Sequence, residues 1–140
     1  MKKQVLVTGA NKGIGYEIAR HLGKSGWQVV VGARCEDRAL KAMEALRAEG
    51  ADVAGWQYVN LADNGEIEVS AREIAEKYPE LSLLVNNAGI TADKLLLRMT
   101  EADFDNVLAT NLKGAFFCTK AACRFMMHQR YGRIISVSSV

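Results

Sequence analysis

Short apolar runs alternate along this chain with longer stretches in which apolar residues recur every three or four positions. The short runs predict strands over residues 5–7, 28–31, 53–59, 81–85 and 133–137. The longer stretches predict helices over residues 13–25, 36–49 and 66–78, followed by a fourth, longer helix between the last two strands.

Two of these helices have an apolar face that can be read from the spacing. In the first helix the inward side chains are predicted to be Ile14, Ile18, Ala19 and Leu22. In the long fourth helix the face is marked by Phe104, Val107, Leu108, Asn111, Ala115, Thr119, Ala122 and Met126. We expect one continuous helix there, with Asn111 as a buried amide that needs partners.

Strands that are apolar on both faces and are separated by helices predict a parallel sheet covered on both sides. Right-handed crossovers then favour an α/β fold with a Rossmann-like, doubly wound sheet of about five strands. No repeat or linker interrupts the pattern, so residues 1–140 are predicted to form a single domain.

The composition is ordinary for a globular protein, with 49% hydrophobic and 24% charged residues. The net charge of +2 comes from interspersed acids and bases, which argues against a nucleic-acid partner. No stretch is long enough for a signal peptide or a membrane span. The three cysteines lack Cys-x-x-Cys spacing, and His21 and His128 are isolated. We therefore expect a cytoplasmic protein with reduced thiols, no membrane partner and no metal site.

A glycine-rich loop separates the first strand from the first helix, with glycines at Gly9, Gly13 and Gly15. Glycines there allow a tight turn and a close approach of backbone to a pyrophosphate, and the helix N-terminus faces that anion. The spacing Gly-x-x-x-Gly-x-Gly differs from the common dinucleotide fingerprint. An ordinary turn is the alternative, but the position between strand and helix favours dinucleotide binding.

The end of the second strand indicates which nucleotide is bound. NAD-binding folds usually place an acid there for the ribose, whereas this chain has Ala33 followed by Arg34. A guanidinium can bind a 2′-phosphate through several donors, and Lys12 supplies a second cation. The alternative is that Arg34 is simply a solvent-exposed charge among its neighbours Glu36, Asp37 and Arg38. The residues favour NADP(H).

Four motifs occur in order along the chain, namely the loop Thr8-Gly-x-x-x-Gly-x-Gly, the segment Asn86-Asn87-Ala88-Gly89, Asn111 and Ser139. Together they resemble the short-chain dehydrogenase/reductase family over essentially all 140 residues. Residues 86–99 are most similar to bacterial 3-oxoacyl-acyl-carrier-protein reductases of fatty acid biosynthesis, and the opening segment to carbonyl reductases. A recombined chain would explain the mixture, and so would natural divergence.

The resemblance implies roles for individual residues. Asn111 would hold a water in a proton relay, although a core amide without chemistry is the alternative. Ser139 would hydrogen-bond the substrate carbonyl, with Ser136 and Ser138 as competitors. The cofactor-binding residues would be Gly9, Asn11, Lys12, Gly13, Ile14, Gly15, Arg34, Asn60, Leu61, Asn87, Ala88 and Gly89. Asn60-Leu61 stands where the family usually has Asp-Val at the adenine.

The family's Tyr-x-x-x-Lys pair, which supplies the proton, has no counterpart in this sequence. The residues four positions after its four tyrosines are Arg20, Ala62, Ser82 and Ile135. Two hypotheses therefore stay open. One is the NADP(H)-binding portion of an oxidoreductase that reduces a small or acyl-carrier-bound carbonyl, incomplete relative to the family. The other is an inactive nucleotide-binding or structural module.

The resemblance also implies association with other molecules. The long helix and the helix that carries Tyr-x-x-x-Lys would together build the subunit interface. Without that partner helix, apolar surface around Ala115, Phe116 and Ala122 should be left partly uncovered. We therefore expect a homo-oligomer or poor solubility. Basic residues near the end of that helix are candidates for docking an acidic carrier protein, or for complementing the helix dipole. They are Lys120, Arg124, Arg130 and Arg133.

Overall fold

The sheet of this protein consists of five parallel strands in the order β3-β2-β1-β4-β5. The computed structural model describes residues 3–89 and 95–138. The strands are β1 (Gln4–Thr8), β2 (Gln28–Ala33), β3 (Val53–Tyr58), β4 (Leu81–Asn86) and β5 (Arg133–Ser136). Each was predicted from its apolar run, and the doubly wound α/β fold is confirmed.

Helices connect the strands and cover both faces of the sheet. The α-helices are α1 (Gly13–Lys24), α2 (Glu36–Ala48), α3 (Asn64–Lys77), α4 (Glu101–Leu108) and α5 (Gly114–Gln129). A 3₁₀ turn at Leu96–Arg98 precedes α4. Helices α1 and α2 pack on β1, β2 and β3, whereas α3 and α5 pack together, with α3 against β3 and α5 against β4.

The apolar residues of each inner strand divide between two cores because successive side chains point to opposite faces. Val5 and Val7 of β1 lie in the core under α1 and α2. Leu6 between them lies in the other core, with Ile67 of α3 and Cys118 of α5. Burial on both faces explains why these strands are uniformly apolar instead of alternating.

The long fourth helix is interrupted, which corrects the prediction of one continuous helix. A π-helical turn, Ala109–Lys113, joins α4 to α5. Such a turn adds a residue to the helical repeat and so shifts the phase of the apolar face. Ala122 of α5 is therefore buried, while Phe104 of α4 is 55% exposed. Asn111 lies in the π-helical turn and is exposed, so its prediction as a buried amide is wrong.

The inward face of α1 was also predicted one residue too long. Ala19 is buried and Ile18 and Leu22 pack against the core, but Ile14 is 66% exposed. Ile14 lies in the first turn of α1. It borders an open apolar cleft that also includes Val85 and Ile135.

Within residues 3–89 and 95–138, no helix is both long and apolar enough to cross a membrane. The same part of the chain contains no group of three or more His, Cys, Asp or Glu side chains placed to hold a metal ion.

Candidate functional site

A cleft of about 390 Å³ opens at the carboxyl ends of β1, β2 and β4. Strand β1 lies between β2 and β4. Strands β2 and β3 are added on one side of β1, and strands β4 and β5 on the other, so the strand order reverses at β1. Ligands of doubly wound sheets bind at this switch point. The lining residues are Thr8, Gly9, Asn11, Lys12, Gly13, Ala33, Arg34, Val59, Leu61, Ala62, Asn87, Ala88, Gly89 and Thr110.

The glycine loop forms one wall of the cleft and requires glycine for two different reasons. Gly9 and Gly13 have positive φ angles of 65° and 59°, a region that other residues rarely adopt. Gly15 is needed for space, because a Cβ atom there would collide with the carbonyl oxygen of Gly9 and the side-chain nitrogen of Asn87. Gly15 therefore supports the loop from behind and is not part of the cleft lining.

Helix α1 begins at Gly13 without a side-chain cap. Lys12 occupies the N-cap position, and its side chain accepts no hydrogen bond from the first turn. The first N–H groups of a helix have no partner within the helix, and they carry the positive end of its dipole. An anion in the cleft can therefore accept hydrogen bonds from this turn.

Thr8 links the glycine loop to the loop that follows β4. Its buried hydroxyl accepts hydrogen bonds from the backbone N–H of Asn87 at 3.0 Å and of Ala88 at 3.1 Å. It donates to the carbonyl of Val85 at 3.3 Å. The Asn87 amide donates in turn to the carbonyls of Thr8 at 3.3 Å and Gly9 at 3.4 Å. The two loops are thus held together by side chains of both.

Two cations border the cleft, and neither has a partner among the residues that the structure describes. The side chains of Lys12 and Arg34 are exposed and line the cleft. Neither forms a hydrogen bond or an ion pair with another residue of the described chain. Arg34 is thus an exposed charge without an ion pair among residues 3–89 and 95–138, which fits both a solvated surface residue and a ligand-binding one. Both charges are available to an anionic ligand.

The Asn60-Leu61 pair has a structural arrangement that its sequence did not indicate. The side-chain oxygen of Asn60 accepts a hydrogen bond from the backbone N–H of Ala62 at 3.1 Å, so it closes a local turn. Leu61 is buried, lines the cleft and would contact a Cβ placed on Gly114 at 2.7 Å. Ala62 reaches the cleft in place of Asn60.

Asn111 is brought next to the second motif by the π-helical turn. A Cβ atom at Gly89 would lie 3.0 Å from its side-chain oxygen. The preceding residue, Thr110, lines the cleft. π-helical turns within α-helices are frequent at functional sites, and this one places an amide beside the end of the Asn86–Gly89 segment.

The predicted serine site is described only in part. Ser139 lies outside the described residues. Ser136 accepts a hydrogen bond at 3.4 Å from the side chain of Asn86, which also donates to Thr119 at 3.1 Å. Ser138 is exposed. The end of β5 is therefore tied to β4 and α5 just before the serines that follow it.

Nine of the twelve predicted cofactor residues line the cleft. The other three lie elsewhere: Ile14 borders the neighbouring apolar cleft, Gly15 lies behind the loop and Asn60 closes its own turn. The lining also includes residues that were not predicted, namely Thr8, Ala33, Val59, Ala62 and Thr110. The first four are adjacent in the sequence to predicted cofactor residues, and this adjacency could have indicated that they line the cleft. For Thr110 there was no such indication in the sequence apart from its position next to Asn111.

A glycine loop and a helix N-terminus at the switch point of a doubly wound sheet define a dinucleotide-binding α/β protein. The chain belongs to the short-chain dehydrogenase family, whose sequence profile, described as short chain dehydrogenase, matches residues 3–140.

Relatives in sequence and structure agree with this family. The chain is 44% identical over 141 aligned residues to the 3-oxoacyl-acyl-carrier-protein reductase FabG of Staphylococcus aureus strain N315, and covers 100% of itself and 57% of that protein. A phenylalanine-to-tryptophan variant of actinorhodin polyketide ketoreductase with NADPH has a TM-score of 0.91 and 34% identity, over 99% of this chain and 53% of that one. A metagenomic short-chain oxidoreductase in complex with NADP has a TM-score of 0.89 and 31% identity, over 99% and 62%. The chain thus spans little more than half of these proteins.

Proposed function

We propose that this chain binds NADP(H) in the cleft at the end of β1. The observation that carries the proposal is a pair of cations, Lys12 and Arg34, that form no ion pair within the described part of the chain and lie beside an uncapped helix N-terminus. The helix amides would hold the pyrophosphate, and Arg34 would hold the 2′-phosphate of the adenosine ribose. The end of β2 carries no acid that would repel that phosphate. The solved structures with NADPH and NADP support the same cofactor.

The charge of Arg34 should dominate the choice between the two cofactors. A hydrogen bond to a charged group is worth about 1.5–3 kcal/mol, which corresponds to roughly ten- to a hundredfold in affinity. We expect NADPH to bind more tightly than NADH by a factor in that range. Most of this preference should be lost in Arg34→Asp.

Fluorescence titrations of NADPH and NADH test this proposal directly. The matched control is Lys41→Asp, which makes the same charge change at an exposed position further along α2. Arg34→Asp should reduce NADPH affinity selectively, while the control changes it little. Equal affinities for the two cofactors in the unchanged chain would overturn the assignment.

We further propose that the whole protein reduces a carbonyl, such as a 3-oxoacyl thioester, to an alcohol by hydride transfer from NADPH. The relatives named 3-oxoacyl-acyl-carrier-protein reductase support this substrate class. In that reaction Asn111 would hold a relay water and Ser139 would hydrogen-bond the carbonyl oxygen. Developing negative charge on that oxygen needs a general acid, which contributes about 10²–10⁴-fold.

The sequence favours a second function for residues 1–140 taken alone, namely nucleotide binding without turnover. None of the four tyrosines is followed four positions later by a lysine, so the family's general acid has no counterpart among these residues. NADPH oxidation with an acetoacetyl thioester, comparing this chain with one extended through a Tyr-x-x-x-Lys segment, distinguishes the two functions. Robust turnover by residues 1–140 would contradict the assignment of the missing acid.

Self-association is the third part of the proposal. Exposed apolar side chains follow α4, the π-helical turn and α5, including Phe104, Leu112 and Phe116, which is 59% exposed. Ala122, which was expected on this surface, is buried, so the surface lies nearer the π-helical turn than predicted. Exposed apolar patches of this kind mark interaction sites. Light scattering should show a homo-oligomer that Phe116→Glu weakens, and a concentration-independent monomer would contradict this.

A further inference from the structure

Tyr58 connects the end of β3 to the first turn of α3. Its hydroxyl donates a hydrogen bond to the Glu66 carboxylate at 3.0 Å. The backbone N–H of Glu66 donates to the side chain of Asp63 at 3.1 Å, which is the N-cap of α3. Glu66 is therefore fixed at both its backbone and its side chain.

The Tyr58–Glu66 pair lies beside the cation assigned to the 2′-phosphate. Tyr58 is in register with Ala33 of β2, and the N–H of Val59 donates to the Ala33 carbonyl at 3.0 Å. Arg34 follows directly. The hydrogen bond to Glu66 raises the pKa of Tyr58, while a hydrogen bond from Asn60 and the positive charge of Arg34 act in the opposite direction. The guanidinium is thus near enough to influence the phenol.

The Tyr58 hydroxyl therefore engages a negative charge, and the backbone of Tyr58 pairs with the end of β2 that directly precedes the positive charge of Arg34. Glu66 forms no ion pair with Arg34 or with any other cation among residues 3–89 and 95–138. Arg34 is free of such pairs in the same part of the chain. Among the described residues, the Glu66 carboxylate accepts a hydrogen bond from the Tyr58 hydroxyl.

We propose that Tyr58 and Glu66 determine the strength of the 2′-phosphate site, an inference that rests on the proposed binding of NADP(H). Tyr58 holds the Glu66 carboxylate away from Arg34, so that the guanidinium stays open to the phosphate. Without the hydroxyl, the carboxylate competes with the phosphate for Arg34. Without the carboxylate, NADPH binds more tightly, because a negative charge near its phosphate is gone.

The expected effects are modest because Arg34 and Tyr58 are exposed and Glu66 is only partly buried. Exposed charge pairs contribute about 0.2–1 kcal/mol, which corresponds to changes of up to about fivefold in affinity. Tyr58→Phe should weaken NADPH binding about two- to fivefold, and Glu66→Gln should strengthen it by a similar factor. NADH affinity should not change in either variant, because NADH lacks the 2′-phosphate.

The experiment is a double-mutant cycle with Tyr58→Phe, Glu66→Gln and the combined variant, titrated with NADPH and NADH at 0.05 M and 0.5 M salt. The control is Glu76→Gln, which removes the same charge from the last turns of α3, about 15 Å along the helix. Urea unfolding of every variant reports on folding. Tyr58→Phe should weaken NADPH binding only while Glu66 is present, and the effect should shrink at high salt.

The controls separate failure of this inference from failure of the proposed function. If the unchanged chain binds no NADPH, or Arg34→Asp has no effect, the proposed function is wrong and the inference falls with it. If binding depends on Arg34 but Glu66→Gln behaves like Glu76→Gln, the inference alone is refuted. The inference alone is also refuted if Tyr58→Phe weakens NADH and NADPH binding equally. It is likewise refuted if the effect of Tyr58→Phe on NADPH affinity is the same with and without Glu66→Gln. Both results would indicate a purely structural role for Tyr58.

Discussion

Replacing Thr8 with valine removes the hydroxyl that joins the two loops of the cleft and leaves the shape of the side chain unchanged. The hydroxyl accepts from the N–H groups of Asn87 and Ala88 and donates to the Val85 carbonyl. In Thr8→Val both N–H groups lose their acceptor. Since Thr8 is buried, the surrounding chain leaves little room for water to replace the lost oxygen.

Leaving a buried donor unsatisfied costs about 1–3 kcal/mol. Asn87 and Ala88 are only partly buried, so we take the lower half of that range and expect a total loss of about 2–4 kcal/mol in the free energy of unfolding. Urea unfolding followed by circular dichroism measures it. With a slope of about 2 kcal/mol per molar urea, the middle of the usual range, the midpoint should fall by about 1–2 M.

Thr8→Ser is the matched control, because it keeps the hydroxyl and removes only a methyl group. That methyl group is worth about 1 kcal/mol, so the serine variant should lie between the unchanged chain and Thr8→Val. NADPH affinity should fall in the valine variant and be largely retained with serine. Equal losses of stability in the two variants would show that packing, and not the hydroxyl, holds these loops together.

Three further predictions concern other parts of the chain. Gly15→Ala should cost about 1–3 kcal/mol of stability by overpacking and should also weaken NADPH binding. The control is Gly26→Ala, where an added Cβ meets only open space at a φ of +95°, so that stability alone should change. Unchanged NADPH binding in Gly15→Ala would contradict this prediction. Burial raises the pKa of the Cys118 thiol to about 11, so at pH 8 iodoacetamide should label exposed Cys35 far faster; equal rates by peptide mass spectrometry would refute the burial argument. Arg130→Glu and added salt should each weaken binding of an acyl carrier protein. If binding is insensitive to both, Arg130 does not dock the carrier protein, and its role is limited to ending α5 in a left-handed conformation.

Local sequence patterns were sufficient to predict the strands and the glycine loop. Val5 and Val7 point to one face of β1 and Leu6 to the other, so burial on both faces is written into a continuous apolar run. The positive φ angles of Gly9 and Gly13 are likewise a local requirement that glycine meets. Both features depend on residues next to one another in the chain, which is why sequence alone revealed them.

The errors come from contacts between distant residues and from a change of helical repeat. Nothing in the spacing of Phe104 and Ala122 shows that a π-helical turn lies between them and directs them to different surroundings. Ile14 is exposed at an open apolar cleft that it borders together with Val85 and Ile135, which are distant from it in the sequence. The Tyr58–Glu66 hydrogen bond joins the ends of two elements whose relative position follows from the whole fold.

The polar groups of the cleft divide into those that hold the protein together and those left for a ligand. The Thr8 hydroxyl and the amides of Asn87 and Asn60 are engaged with backbone groups, so they keep the cleft in shape before any nucleotide arrives. The groups that remain include the amides at the start of α1, the cations Lys12 and Arg34, and the polar side chains of Asn11 and Thr110. The helix amides and the two cations are suited to phosphate. Binding should therefore depend chiefly on the phosphates, and any charge placed near Arg34, including that of Glu66, should alter the choice of cofactor more than the fold.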